Sequence, residues 1–438
     1  MKNIGIQEAR KRSERAIWSR IHQLPRFFVE WWQMWELRRL LELAYNHVPF
    51  YKTLWDERGV RPSDIVKLSD IKKLPITSKR LFRQQPIMSL MHDSFFLPHY
   101  VWTETSGSTG EPFGFPIRAY SELDLTNVFY EYRFLLWRGE NLNDLLASLR
   151  VARISDSLPN GYVPSDERLF IPRGLLRDDP SALFRQLKEF GPDVIASRPS
   201  MLFELARLAG RMDTNDLPRF KYIMSYGETL YPAARRFIER ATSGEVYDAY
   251  GLEEVGTIGV ECREHLGMHL NEESCIVEVV DGNGVILRDG NTGRIIITRF
   301  RRNDVMPFIR YDTGDRGMIM PERCPCGLRA RRIQVFGREG IFVTLGGRKF
   351  HLSEFEKVLT KLHHAVLGYQ IAKVGEGDLE IRLVLSDGFS QAADAVAADF
   401  KKRFGLSPGV KIVRSIGYNE RGKTPIFVDE MDLAEIDR

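Results

Sequence analysis

Two clusters of residue types in this chain could do chemistry. The first is Thr103-Glu104-Thr105-Ser106-Gly107-Ser108-Thr109-Gly110-Glu111-Pro112. Glycines among hydroxyl side chains make a loop whose backbone N–H groups and Ser/Thr donors can approach phosphate oxygens without side-chain obstruction. The segment lacks the Gly-Lys-Ser/Thr ending of a P-loop, so Walker-type chemistry is not supported; in isolation such a run is more often a solvated linker. The second cluster is Cys262 and His269, with six residues between them, and Cys324-Pro325-Cys326-Gly327 further on. Three thiols and one imidazole complete a tetrahedral Zn²⁺ set with no position left for water, which is the composition of a structural centre. His265 is an alternative to His269, and four reduced, unligated side chains are the plain alternative to a metal. Cys275, at the start of a β-like run, reads as a small buried residue.

The elements that must position these groups fall into three stretches. The seven tryptophans (18, 31, 32, 35, 55, 102 and 137) lie in the first third of the 438 residues. That part reads helical, with Phe27, Trp31 and Trp35 on one stripe, Phe28 and Trp32 beside it, and Pro25 separating two helices. Such a stripe is expected to pack as core. Arg20, Arg26, Arg38 and Arg39 raise a membrane-surface reading, which Glu30, Glu36 and Glu42 weaken. Between residues 100 and 310, β-like runs (ASLRVARIS, PDVIASR, YIMSYG, GEVYDAYG) alternate with helical ones (LFRQLKEF, MLFELARLA), the pattern of an α/β body with a largely parallel sheet. CIVEVVDGNG, GRIIITRF and PFIRYDTGDRGMIM then follow without helices and predict a small antiparallel subdomain. From Arg338 the alternation restarts and predicts a compact α+β tail of about one hundred residues. The expected division is 1–337 and 338–438.

Composition excludes several classes. With 43% hydrophobic and 28% charged residues the chain can bury a large core, so disorder is out. The 63 Lys and Arg against 59 Asp and Glu leave +4, too small and dispersed a surplus for a nucleic-acid groove. No stretch approaches the roughly 18 apolar residues of a bilayer span, and the start lacks the apolar core of a signal peptide, so a cytoplasmic protein is expected. Four cysteines are too few for a disulfide scaffold.

The order TSGSTGEP at 105 to 112, YGETL at 226 to 230, YGLEE at 250 to 254, YDTGD at 311 to 315, GRE at 337 to 339 and RGK at 421 to 423 resembles the adenylate-forming enzyme superfamily. It is similar in particular to the phenylacetate-CoA ligase-like branch, including relatives encoded with capsule polysaccharide genes. The stretch from His47 to Lys79, ending in LPITSK, also matches that branch, so the resemblance covers most of the chain. The segment EC…GMH…CPCG resembles a zinc-bearing version of it.

The resemblance implies a large nucleotide- and acid-binding body and a small mobile tail domain that rotates between two half-reactions. It implies that Thr105, Ser106, Gly107, Ser108, Thr109 and Gly110 hold the phosphates, and that Glu254 holds Mg²⁺, for which a carboxylate is the right hard ligand. Ser225, Tyr226, Gly227, Glu228, Tyr250 and Gly251 would line the adenine and the acid, Asp315 would accept from the ribose hydroxyls and Arg338 would support the same sugar. Lys423 would be the adenylation lysine, stabilising charge that develops on phosphorus. Gly346, Gly347, Arg348 and Lys349 would face the incoming thiol, with a structural glycine turn as the alternative. Two positions depart from the pattern. Glu253 replaces a threonine and brings a second negative charge near a triphosphate, and Gly340 replaces an acidic hinge residue, which glycine's freedom tolerates.

The expected activity is therefore AMP-forming ligation: ATP and Mg²⁺ activate a small carboxylic acid, an aryl acid among the candidates, as an acyl-adenylate, and the acyl group passes to a thiol, coenzyme A. Amide or ester formation and nucleotidyl transfer would use the same first-step residues. A decayed, zinc-stabilised scaffold is the rival from another class. Oligomeric state is open, with a homodimer among the options.

Overall fold

A computed structural model describes residues 21–93, 100–104, 113–118, 132–139, 149–155, 166–210, 219–300, 305–338, 342–362, 365–386, 388–417 and 426–430. The proposed phosphate residues Thr105 to Gly110, together with Gly340 and Lys423, lie outside them. The fold is mixed α/β, and the chain divides into two compact units. One comprises Met1–Ser148, Pro159–Val163 and Ala249–Gly337; the other comprises Leu149–Leu158, Pro164–Asp248 and Arg338–Arg438.

In the first unit the antiparallel part is much larger than the three β-rich pieces suggested. Cys275–Val280, Gly293–Arg299, Tyr311–Ile319, Arg332–Arg338, Met268–Leu270 and Gly256–Glu261 follow one another as neighbours. The short strand Thr77–Ser78 adds in parallel to Tyr311 and Asp312. The nine-residue strand Tyr311–Ile319 alternates buried and half-buried positions, the period of two expected of a sheet with one covered face. Arg310, immediately before it, sits at φ 45 and is buried. Its guanidinium forms two hydrogen bonds to Glu278, at 3.1 and 2.8 Å, and donates to the carbonyl of Leu74 at 2.6 Å. The same arginine thus ties the segment before Thr77 to the strand.

The 22-residue helix Arg26–His47 covers this sheet, starting after Pro25 as expected. The aromatic stripe, however, is not its buried face. Phe27 and Trp31 are 62% and 65% exposed, and Phe28 and Trp35 also face solvent. The helix docks instead through Val29, Gln33, Leu37, Leu40, Leu41 and Ala44. Polar bonds fix that choice: the Gln33 amide donates to the carbonyls of Glu272 and Cys275, and the Trp32 indole N–H donates to the carbonyl of Glu273. Hydrophobic periodicity identified the helix but not the face that finds hydrogen-bond partners, and buried carbonyls at a sheet edge require them.

The second unit holds the parallel sheet. Tyr222–Tyr226, Val194–Ser197, Val151–Ser155 and Arg168–Pro172 are neighbours in that order, all parallel. The helices Pro180–Phe190, Pro199–Ala209 and Pro232–Thr242 each open with proline in the first turn, where its missing N–H has no partner to lose. Leu183, Leu187, Ile195, Leu202, Leu205 and Ile223 form their shared core.

Residues 338–438 contribute a four-stranded sheet in the order Gly409–Ile412, Leu379–Leu385, Val366–Lys373 and Phe427–Asp429, backed by the helix Ala392–Phe404. Phe355, Ile371, Ile381, Val396 and Phe400 make a core of their own. The strand Val366–Lys373 was not anticipated from sequence, yet it is central to this sheet. A smaller patch, Ala233 with Leu367 and Val384, joins these residues to the helix Pro232–Thr242. Among the described residues no helix is long and apolar enough to cross a membrane.

Candidate functional site

In the first unit two carboxylates are each held by a tyrosine hydroxyl. Tyr311 donates to Glu254 Oε1 at 3.0 Å, and Lys79 Nζ lies 3.4 Å from the same oxygen. Tyr250 donates to Asp315 Oδ2 at 2.8 Å. All four of these tyrosine and acid side chains are buried. The strand register explains the first arrangement: Thr77 pairs with Tyr311 and Ser78 with Asp312, so Lys79 emerges beside Tyr311. The Asp315 backbone N–H donates to Thr313 Oγ1, whose hydroxyl donates to the carbonyl of Ile295. A buried carboxylate surrounded by donors is pre-positioned to accept from a ligand or to bind a hard cation.

The sequence reading assigned roles to Glu254, Tyr250 and Asp315 but none to Tyr311 or Lys79. The signal was present, since Tyr311 opens YDTGD and Lys79 closes LPITSK; only the strand pairing shows that they meet at Glu254. Glu253 is exposed while Glu254 is buried. The two adjacent acids, one exposed and one buried, lie at the turn that follows the strand Glu245–Leu252. Gly251 has a structural reason as well: a Cβ there would lie 2.7 Å from the Gly256 carbonyl oxygen, across the bulge in this strand pair.

The remaining nucleotide candidates lie in the second unit. Ser225 is buried at the end of the strand Tyr222–Tyr226, and Gly227 has φ +78. The Glu228 carboxylate accepts the Ser200 backbone N–H at 3.2 Å, at the start of the helix Pro199–Ala209, where the helix dipole favours a negative charge. The Arg153 guanidinium lies over the Tyr226 ring at 4.9 Å. Arg338 is the first residue of the last segment of this unit. Gly346 and Gly347, at φ 52 and 74, form the two-residue turn of a hairpin that pairs Leu345 with Arg348, a geometry that favours glycine at both positions. Arg348 and Lys349 follow it, exposed, with Arg348 over the Phe350 ring at 4.8 Å.

The cysteine cluster assembles from distant parts of the first unit. One ligand atom each from Cys262, His269, Cys324 and Cys326 lies within 4.8 Å of the others. Cys262 Sγ and Cys324 Sγ are 3.6 Å apart, and Cys326 Sγ and His269 Nε2 are 3.3 Å apart. A zinc tetrahedron with Zn–S near 2.3 Å and Zn–N near 2.05 Å has edges of roughly 3.8 and 3.6 Å, so the four donors fit that ion. His269 Nδ1 lies 3.2 Å from the Ala330 carbonyl, which leaves Nε2 for the metal. Burial lowers the His269 pKa to about 4, so the imidazole is neutral, the ligand form, and burial pushes the Cys262 and Cys326 thiols up. His265, the alternative ligand, instead places Nδ1 3.0 Å from Glu261. Trp137 packs edge-on against both His269 and His22. Cys275 is fully buried, as expected, and stands apart from the set.

The AMP-binding enzyme family matches residues 100–300. The phenylacetate-coenzyme A ligase of Thermus thermophilus is 28% identical over 393 residues, 84% of each chain. That of Escherichia coli is 28% identical over 362 residues, 80% of each. Among solved structures, 2-hydroxyisobutyryl-CoA ligase in the postadenylation state superposes with a TM-score of 0.73 at 19% identity, covering 94% of this chain and 92% of that one. The motif order, the mixed α/β fold and these relatives agree in their likeness to the adenylate-forming enzyme superfamily and its phenylacetate-coenzyme A ligase-like branch, and together they support an AMP-forming acid–CoA ligase.

Proposed function

We propose that this protein joins a small carboxylic acid to the α-phosphate of ATP, releasing pyrophosphate, and then transfers the acyl group from the adenylate to coenzyme A, releasing AMP. The observation that carries this reading is the pair of tyrosine-held carboxylates, Glu254 with Tyr311 and Asp315 with Tyr250, at positions that match the superfamily's metal-binding and ribose-binding acids. Glu254 would supply one carboxylate to Mg²⁺, with the nucleotide phosphates completing its shell. When bound, that ion neutralises charge on the phosphates and the departing pyrophosphate. Lys79 balances the Glu254 charge in its absence.

Asp315 would accept from the ribose hydroxyls while Tyr250 holds its second oxygen in place. Ser225 to Glu228, Gly251 and Arg338 would complete the nucleotide and acid contacts, Thr105 to Gly110 the phosphate contacts, and Gly346 to Lys349 those to the thiol. The names of the curated relatives support an aryl acid as substrate. The core that residues 338–438 build around Phe355, Ile381 and Phe400 supports a small tail domain, which would re-orient between the two half-reactions. The Cys262, His269, Cys324 and Cys326 centre would hold a structural zinc, with no step of the reaction assigned to it. Reduced cysteines throughout suit a cytoplasmic enzyme.

The test is acid-dependent exchange of labelled pyrophosphate into ATP with Mg²⁺, over a panel of aryl, fatty, hydroxy and sugar acids, followed by release of AMP on adding coenzyme A. Exchange with an aryl acid and CoA-dependent AMP release is the expected result. Exchange that responds to an amine or hydroxyl acceptor but not to CoA would overturn the thiol half, and silence without ATP binding would overturn the whole. Tyr250→Phe removes one hydrogen bond to a buried carboxylate, so the KM for ATP should rise about tenfold with kcat nearly unchanged. An unaltered KM in steady-state kinetics would show that Asp315 does not touch the nucleotide.

A further inference from the structure

We propose that His47, His92 and Asp93 form a second metal site, open to solvent, for a borderline divalent transition ion such as Ni²⁺, Cu²⁺ or Zn²⁺. One ligand atom from each lies within 4.8 Å of the others. None of the three belongs to the cysteine centre or to the groups assigned to ATP, acid or thiol.

The geometry is that of a ligand set rather than of a chance surface cluster. The two imidazoles stack with centroids 4.5 Å apart and planes within 10° of parallel. Both Nδ1 atoms lie near one carboxylate oxygen: His47 Nδ1 is 3.1 Å and His92 Nδ1 is 3.4 Å from Asp93 Oδ1. An ion bound at about 2.1 Å imposes ligand-to-ligand edges of roughly 3.0 Å in an octahedron and roughly 3.4 Å in a tetrahedron. The two Nδ1-to-Oδ1 separations, 3.1 and 3.4 Å, match those edges, and the stacked rings must turn toward one another for both in-plane lone pairs to meet one ion.

The backbone holds the three residues in place. The Asp93 N–H donates to the His47 carbonyl at 2.9 Å, and the His92 N–H donates to the Val305 carbonyl at 2.6 Å. His47 is the last residue of the helix Arg26–His47, where the negative end of the helix dipole favours a cation. The His47 and Asp93 side chains are about half exposed, at 45% and 54%, so water can supply the remaining ligands. Two imidazoles with one carboxylate select ions of intermediate softness; Mg²⁺ and Ca²⁺ demand more oxygen ligands than this site offers. A bound ion would join the end of the first described long helix to the chain at residues 92 and 93 and, through His92, to Val305.

The test uses the full-length, tag-free protein with its cysteine centre intact. Calorimetric titration with Ni²⁺ should show one saturable equivalent with a micromolar dissociation constant, weakened at least tenfold in His47→Ala and in His92→Ala. As a check that does not depend on a variant folding, Cu²⁺ added to the unaltered protein should give an electron paramagnetic resonance spectrum with superhyperfine splitting from two nitrogens. No saturable Ni²⁺ binding, or an affinity in both variants equal to that of the unaltered protein, would overturn the site, as would a copper spectrum without nitrogen coupling.

Discussion

Replacing Lys423 with Ala should slow pyrophosphate exchange by about a hundred-fold or more while the protein still binds ATP. Adenylate formation builds negative charge on the phosphorus oxygens at the moment pyrophosphate departs, and a positioned ammonium stabilises that charge more than it stabilises the ground state. Loss of one such donor costs on this scale because water, free to reorient, cannot replace a group already aimed at the transition state. The second half-reaction proceeds from a preformed adenylate, so the same variant given synthetic acyl-adenylate and coenzyme A should turn over within a few-fold of the unaltered enzyme. That split between the two steps distinguishes a catalytic lysine from one that merely supports the tail domain. Equal exchange rates in Lys423→Ala and wild type would remove Lys423 from the reaction.

Disrupting the cysteine centre should have the largest effect on stability. Elemental analysis of the purified protein should find about one tightly held zinc per chain, and Cys324→Ser should lose it. Cys262 and His269 lie on one side of the sequence from Cys324 and Cys326, so the ion would cross-link the end of the strand Gly256–Glu261 to the loop before Arg332–Arg338. Structural zinc sites contribute on the order of 10 kcal/mol in small domains; here the surrounding sheet retains part of that order, and a loss of about 5 kcal/mol is expected. At roughly 2 °C per kcal/mol for a unit of this size, the thermal midpoint should fall by about 10 °C. A protein that contains no zinc when purified without chelator would refute the centre outright.

The motif order carried the superfamily, and the alternation of β-like and helical runs carried the α/β architecture, because both are written in local spacing. The resemblance carried by YGLEE and YDTGD pointed to Tyr250, Glu254 and Asp315, and the cysteine pattern pointed to Cys262, His269, Cys324 and Cys326, whose ligand atoms the fold brings within 4.8 Å of one another. The limits came where the answer depended on contacts between distant segments. The strand Val366–Lys373 was missed because its apolar run, interrupted by Gly368, does not announce a strand before its neighbours are known. The size of the antiparallel sheet was missed because Gly256–Glu261, Met268–Leu270 and Arg332–Arg338 acquire their meaning only as neighbours of one another.

The aromatic stripe shows the same boundary from the other side. Phe27, Trp31 and Trp35 have the spacing of a core face, yet the helix Arg26–His47 buries Gln33 and leaves them exposed. Periodicity reports that a helix has two unlike faces. It does not say which one meets carbonyls that need the amide of Gln33 and the indole of Trp32. Likewise Glu253 and Glu254 are chemically identical neighbours, and only the turn after the strand Glu245–Leu252 leaves one exposed and brings the other to Tyr311 and Lys79.

By itself, then, the sequence determined which chemical groups this chain owns and in what order, since residue type and spacing are local properties. The tertiary structure alone decided which of them meet: Lys79 beside Glu254, Cys262 beside Cys324, His47 stacked on His92. Those meetings follow from strand register and from the hydrogen bonds that buried polar groups must find, and both are settled between segments far apart in the chain.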